Sequence, residues 1–137
     1  MKTICCYVSL ILVFLTSGIC AAEVPNLLGN WTGSWKAYDL ENGYLESTEN
    51  GSINIALVEQ NDRIFAGNLV FKMKNGSYSK ESFVGAIGLD NKTLNMAEVE
   101  EGYVQATLIS NDEIDVIYLL DGKEASVIID RVHRIKA

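Results

Sequence analysis

Little in this chain of 137 residues can build a covalent or metal-held framework. Its three cysteines, Cys5, Cys6 and Cys20, all fall in the first twenty residues. The rest therefore has neither a disulfide nor a cysteine nucleophile. His133 is the only histidine and Pro25 the only proline. One histidine, no cysteine pair and no Asp-rich loop with a closing Glu leave no metal-ligand spacing. Basic residues are also scarce, 11 Lys and Arg against 18 Asp and Glu. Such a chain repels phosphate backbones, which argues against nucleic acid as a partner. The one long apolar run, Ile4 to Phe14, is too short to span a bilayer comfortably.

That run is preceded by Lys2 and followed by Ser17, Gly18 and Cys20-Ala21-Ala22. A positive start, an apolar segment and a small-x-small site predict a signal peptide over residues 1–22, cut after Ala22 or Cys20. Export to the extracellular space follows as an expectation. A lipid anchor on Cys20 is the alternative, but it needs small residues just before the cysteine, and Ile19 stands there. Without residues 1–22 the charge is 10 basic against 18 acidic, net −8, with no cysteine and no integral membrane segment. The remaining 23–137 suits one domain, which at that size buries roughly two thirds of its unfolded surface. Four Asn-x-Ser/Thr sequons, at Asn30, Asn50, Asn75 and Asn91, are candidate glycan acceptors in an exporting cell that has the machinery.

Turns fall to Asn, Asp and Gly. Asn42-Gly43, Asn50-Gly51, Asn75-Gly76 and Asp121-Gly122 are strong tight-turn pairs, because these residues accept positive φ. They and weaker pairs recur about every 8–15 residues, a meander rhythm. Period-2 alternation fills the gaps and helical spacing nowhere holds. Eight strands are predicted near 28–40, 51–60, 63–73, 79–89, 92–99, 103–110, 113–120 and 124–135, with 44–48 a ninth short strand or a loop. Alternation assigns inward faces such as Trp31, Gly33, Trp35 and Ala37, or Phe83, Gly85, Ile87 and Leu89. For the last strand it assigns Ala125, Val127 and Ile129. One apolar face per strand needs a facing surface. An eight-stranded antiparallel up-and-down β-barrel supplies it and removes both edges; a two-sheet sandwich is the alternative.

Gly29-Asn30-Trp31 resembles the Gly-x-Trp that opens the first strand of lipocalins and, less strictly, of avidins, the calycin barrels. Phe65-Ala66-Gly67-Asn68-Leu69 is similar to an aromatic-x-Gly-x-apolar strand of avidin-like chains. The Thr-Asp-Tyr motif of lipocalins is absent. The resemblance implies that Trp31 closes one barrel end under a cation from the last strand. Arg131, in phase with Val127 and Ile129, is expected there, with Arg134 second. It also implies a ligand-holding interior. Biotin capture does not carry over, because avidins wall the pocket with tryptophans from several strands and no Trp follows Trp35.

The candidate ligand-lining residues are the inward aromatics Trp35, Phe65, Phe71, Phe83 and Tyr118. Inward Gly33, Gly67 and Gly85 make room either for a ligand or for bulky neighbours. Catalysis lacks parts: Asp112 with Asp115 could do acid–base work, but a turn and a strand start ordinarily carry exposed acids. No enzyme, cofactor or metal is expected. Three functions stay open. One is a barrel holding a small apolar ligand. Another is a structural or surface-associated protein using exposed Val58, Ile64, Val70, Val84, Ile109 and Ile117. The third is a secreted hydrolase inhibitor.

Overall fold

The computed structural model describes residues 23–47, 52–72, 76–99 and 102–136. The expected leader and the sequons at Asn50 and Asn75 lie outside them. Nine strands run in chain order: β1 (Gly29–Asp39), β2 (Gly43–Glu46), β3 (Ile53–Asn61), β4 (Ile64–Lys72), β5 (Tyr78–Ile87), β6 (Thr93–Glu98), β7 (Tyr103–Ser110), β8 (Glu113–Leu120) and β9 (Ser126–Arg134). Each expected strand is present within a few residues. The described residues contain no α-helix, only a 3-10 turn at Gly122–Glu124.

Every pairing is antiparallel. β9 returns onto β1 from Trp31↔Arg134 to Asp39↔Ser126, so the sheet closes into a barrel. β3 takes the first half of the other side of β1, Gly29↔Leu57 to Gly33↔Ile53. β2 takes the second half, Lys36↔Glu46 to Asp39↔Gly43. Eight staves therefore form the barrel, and β2, over the segment where strand and loop were both open, extends one of them. Val58 and Ile109 sit at register shifts in β3–β4 and β7–β8. Such bulges turn the extra residue out and tighten the strand's twist.

The turns follow local chemistry. Asp62, at φ 52°, carries β3 into β4. Between β5 and β6 the Asp90 carboxylate accepts the N–H groups of Lys92 and Thr93 and the Thr93 hydroxyl. These bonds hold its pKa down to about 2. Leu89, expected to face inward, lies beyond the end of β5 and is exposed.

Inward faces match the alternation on β1 and on β3 to β8. β9 does not. Ile128, Asp130 and Val132 turn inward, while Val127, Ile129 and Arg131 turn outward, and Ala125 precedes the strand. The register requires this: Asp130 is opposite Trp35 and Val132 opposite Gly33, and directly opposed residues share a face. Residues 127–129 are apolar in both phases, so alternation could not decide. Placing Asp130 outside was the ordinary expectation for an acid.

Candidate functional site

The strands' inward faces change character along the barrel. At the end where β1 begins and β9 finishes they are packed solid. Trp31, Leu27, Phe65, Ile87, Leu94 and Val132 are almost fully buried there. The segment before β1 crosses this end. The Leu27 N–H donates to Gln60 Oε1 and Gln60 Nε2 donates to the Pro25 carbonyl, both at 2.8 Å. Trp31 Nε1 donates to the Leu27 carbonyl at 3.1 Å.

A cation does cover Trp31, but it is Arg134. Its guanidinium carbon lies 4.1 Å from the indole centroid. Arg134 also donates to the carbonyls of Leu28, Asn26 and Asn111. Arg131, expected at this place, faces solvent instead and pairs with Asp115 at 3.0 Å and Glu113 at 3.3 Å. The inverted phase of β9 is the reason. It puts Arg131 opposite Ser34 on the outer wall and Arg134 opposite Trp31. Asp112 meanwhile binds Lys136 and Arg134. Asp112 and Asp115 are thus held by different cations at the surface. His133 is exposed on the outer wall.

At the other end the interior opens into a cavity of about 750 Å³. Its walls are mostly apolar, among them Ile53, Leu69, Met96, Val104 and Val116, and Leu40, Asn42, Lys123 and Glu124 stand near its mouth. Trp35, Phe71, Phe83 and Tyr118 line it. Phe65 does not. It belongs to the packed end, edge-on to Phe83 with ring centroids 6.5 Å apart. The inward glycines serve this packing: a Cβ on Gly85 would lie 2.5 Å from Phe65 Cζ, and one on Gly67 2.5 Å from Phe83 Cζ. Of the described sequons, Asn30 is exposed on β1, and Asn91, at φ 56°, sits in the β5–β6 turn.

Acids that sequence reasoning left on the surface also line the cavity, among them Glu81, Glu98 and Asp130. Asp130 is only 4% exposed. Its Oδ1 is buried and has no hydrogen-bond partner among the described residues. Burial pushes its carboxyl up to about 7. Burial also raises Glu98, and a hydrogen bond and like charge from Glu81 raise it further. Both causes favour the protonated form of Glu98. The signal for these residues was their phase. Glu81 continues the face of Phe83 and Ile87, and Glu98 that of Leu94 and Met96. Chemically the chamber offers apolar burial with acceptors and negative charge, and the described residues hold no cluster of three or more His, Cys, Asp and Glu able to hold a metal.

No protein-family model and no curated protein matches the chain. Solved structures do. A redesigned β-barrel superimposes with a TM-score of 0.58 at 11% identity, covering 88% of this chain and 100% of the design. A de novo fluorescence-activating β-barrel gives 0.50 at 9%, covering 79% and 93%. Aphrodisin, a sex pheromone from female hamster, gives 0.47 at 19%, covering 82% and 77%. At these identities the likeness concerns the fold: a closed antiparallel barrel of eight staves.

Proposed function

We propose that this protein is an exported, non-enzymatic barrel that holds one small apolar ligand in its open end, as the resemblance to calycins implies. The observation that carries this reading is the asymmetry of the interior, sealed at Trp31 and hollow at Trp35. The cavity's volume falls within the roughly 300–1,000 Å³ of small-molecule sites. Eight-stranded barrels either fill with side chains or hold one small ligand, and this one does each at a different end. Titrating 1-octanol into the Trp31→Phe variant isolates Trp35 as the fluorophore. A saturable shift of its emission at about 1:1 stoichiometry is expected. Unchanged emission, with no heat in calorimetry, sinks the reading. Export is tested by the mass of the native protein, which should begin at Glu23 or Ala21.

A second reading, attachment through the outer wall, draws on another observation. Exposed Tyr44, Tyr38, Val127, Leu119 and Tyr103 are successive partners across β2, β1, β9, β8 and β7. They form an apolar row of the kind that marks contact surfaces. Concentration-dependent sedimentation abolished by Tyr103→Lys would favour it.

A further inference from the structure

Most apolar chambers of this kind need no acid deep in the wall. This one has Asp130, 4% exposed, with a buried Oδ1 that no donor among the described residues satisfies. A buried acceptor without a donor costs roughly as much as a lost hydrogen bond, and a charged one costs more. Nothing in the packing of β9 demands it, since its neighbours across the strands are Trp35 and Val116. An Asn, Ser or Val would sit there with a smaller penalty. Asp130 is therefore poorly explained as part of the fold and well explained as half of a pair.

The missing half is identified by charge. Among the described residues, the acids lining the cavity are Asp39, Glu41, Glu81, Glu98, Glu124 and Asp130, against two bases, Lys72 and Lys123. The low-dielectric walls strengthen that imbalance inside. Glu98 relieves part of it, because burial and the neighbouring Glu81 favour its protonated form. A ligand that brought its own positive charge and N–H donors would relieve the rest and pair with the Asp130 carboxylate. Trp35, directly opposite Asp130, adds an aromatic wall, and indole faces attract cations. An anion, such as a fatty carboxylate, would add to the repulsion.

We infer that the barrel selects a small amphiphilic amine, with its apolar body among Ile53, Leu69 and Val104 and its ammonium group on Asp130. The inference rests on the ligand-holding reading above and specifies its substrate class. Charge-assisted N–H···O bonds are about twice as strong as neutral ones, and here the acceptor is a largely buried carboxylate.

The test compares three probes of one chain length: n-octylammonium, 1-octanol and octanoate, titrated at pH 7.5 by calorimetry and Trp35 emission. Octylammonium should bind at least tenfold tighter than octanol, and octanoate more weakly than either. In Asp130→Asn the amine should lose its tenfold advantage while octanol changes less than threefold. Glu98→Gln, which leaves Asp130 in place, should keep most of the preference. If octanol binds the wild-type protein as tightly as octylammonium, the amine inference falls and the apolar chamber stands. If octanoate binds best, the charge argument is overturned. A preference that survives Asp130→Asn also overturns the inference. If none of the three binds, the ligand-holding reading itself is wrong. Should Asp130→Asn fail to fold, the ranking of the three probes on the wild-type protein still decides.

Discussion

The same staves build two unlike ends. Going inward from the sealed end, β5 presents Ile87, Gly85, Phe83 and then Glu81. β6 presents Leu94, Met96 and then Glu98, and β9 presents Arg134, Val132 and then Asp130. The sealed end therefore holds the large apolar side chains that exclude water, and the open end the acids and the free volume. This division separates dense packing from free volume within one small domain. Packing energy gathers where nothing needs to enter. The costly groups gather where a partner could repay their desolvation.

The sharpest way to break the comparison is to remove one tryptophan from each end. Trp31 is fully buried, hydrogen-bonded to Leu27 and covered by Arg134. Trp31→Ala should cost about 3–5 kcal/mol, as for other large buried aromatics. Trp35 borders the cavity, so Trp35→Ala leaves less of a new void and should cost about 1–2 kcal/mol. Urea denaturation of the two variants decides. Equal losses would mean that the open end is as tightly built as the sealed one.

The barrel itself was legible because its signals are local. Turn pairs such as Asn42-Gly43 and Asp121-Gly122 punctuate the chain, and Phe65-x-Gly67-x-Leu69-x-Phe71 can point only one way. The sealed end was half legible: Trp31 stood out, but its cation did not. Residues 127–129 are apolar in both phases, so the side of β9 was set by its pairing with β1, a contact roughly a hundred residues apart in sequence. The acids in the chamber were hidden by a sound rule, that acids face water. An in-phase Glu at the end of an inward run, as at Glu81 and Glu98, breaks that rule visibly. Asp130 broke it only once the phase was known.

The open end should also be recognisable by pH. Unfolded carboxyls ionise near pH 4, whereas folded Asp130 holds its proton up to about pH 7. Between these values the unfolded chain has released a proton that the folded chain keeps. Stability is thus greatest toward pH 4 and falls as pH rises through 7. Glu98, raised by burial and by Glu81, acts in the same direction. Among the described residues, Lys72 and Lys123 are the bases that border the cavity. Asp90 acts oppositely, but with its pKa near 2 its contribution is lost only as pH falls below about 4. Asp130→Asn should therefore stabilise the ligand-free protein by about 1–3 kcal/mol at pH 8, less than the full shift because the amide is itself buried unpaired. The gain should vanish by pH 5. Urea midpoints that rise from pH 5 to pH 8 in the wild-type protein would contradict a buried carboxyl in the chamber.

The smallest effect separates the two arginines of β9. Arg134 stacks on Trp31, donates to three carbonyls and closes the sealed end, with its side chain only 20% exposed. Arg131 sits on the outer wall with 57% of its side chain exposed and pairs with Asp115 and Glu113. Exposed ion pairs contribute about 0–1 kcal/mol, whereas a guanidinium on an indole face contributes roughly 0.5–2 kcal/mol before its hydrogen bonds are counted. Arg134→Ala should cost about 1–2 kcal/mol and Arg131→Ala no more than about 0.5 kcal/mol. Coupling is the cleaner measurement, because contacting residues are non-additive and distant ones add. In a double-mutant cycle with Trp31→Phe, Arg134→Ala should show an interaction energy of about 0.5 kcal/mol or more, and Arg131→Ala none. The Trp31→Phe background keeps a ring in the core, so the cycle reads the cation on the ring rather than collapse of the barrel end. Coupling to Arg131 instead would restore the phase that alternation alone assigns to β9. It would also turn Asp130 out of the chamber.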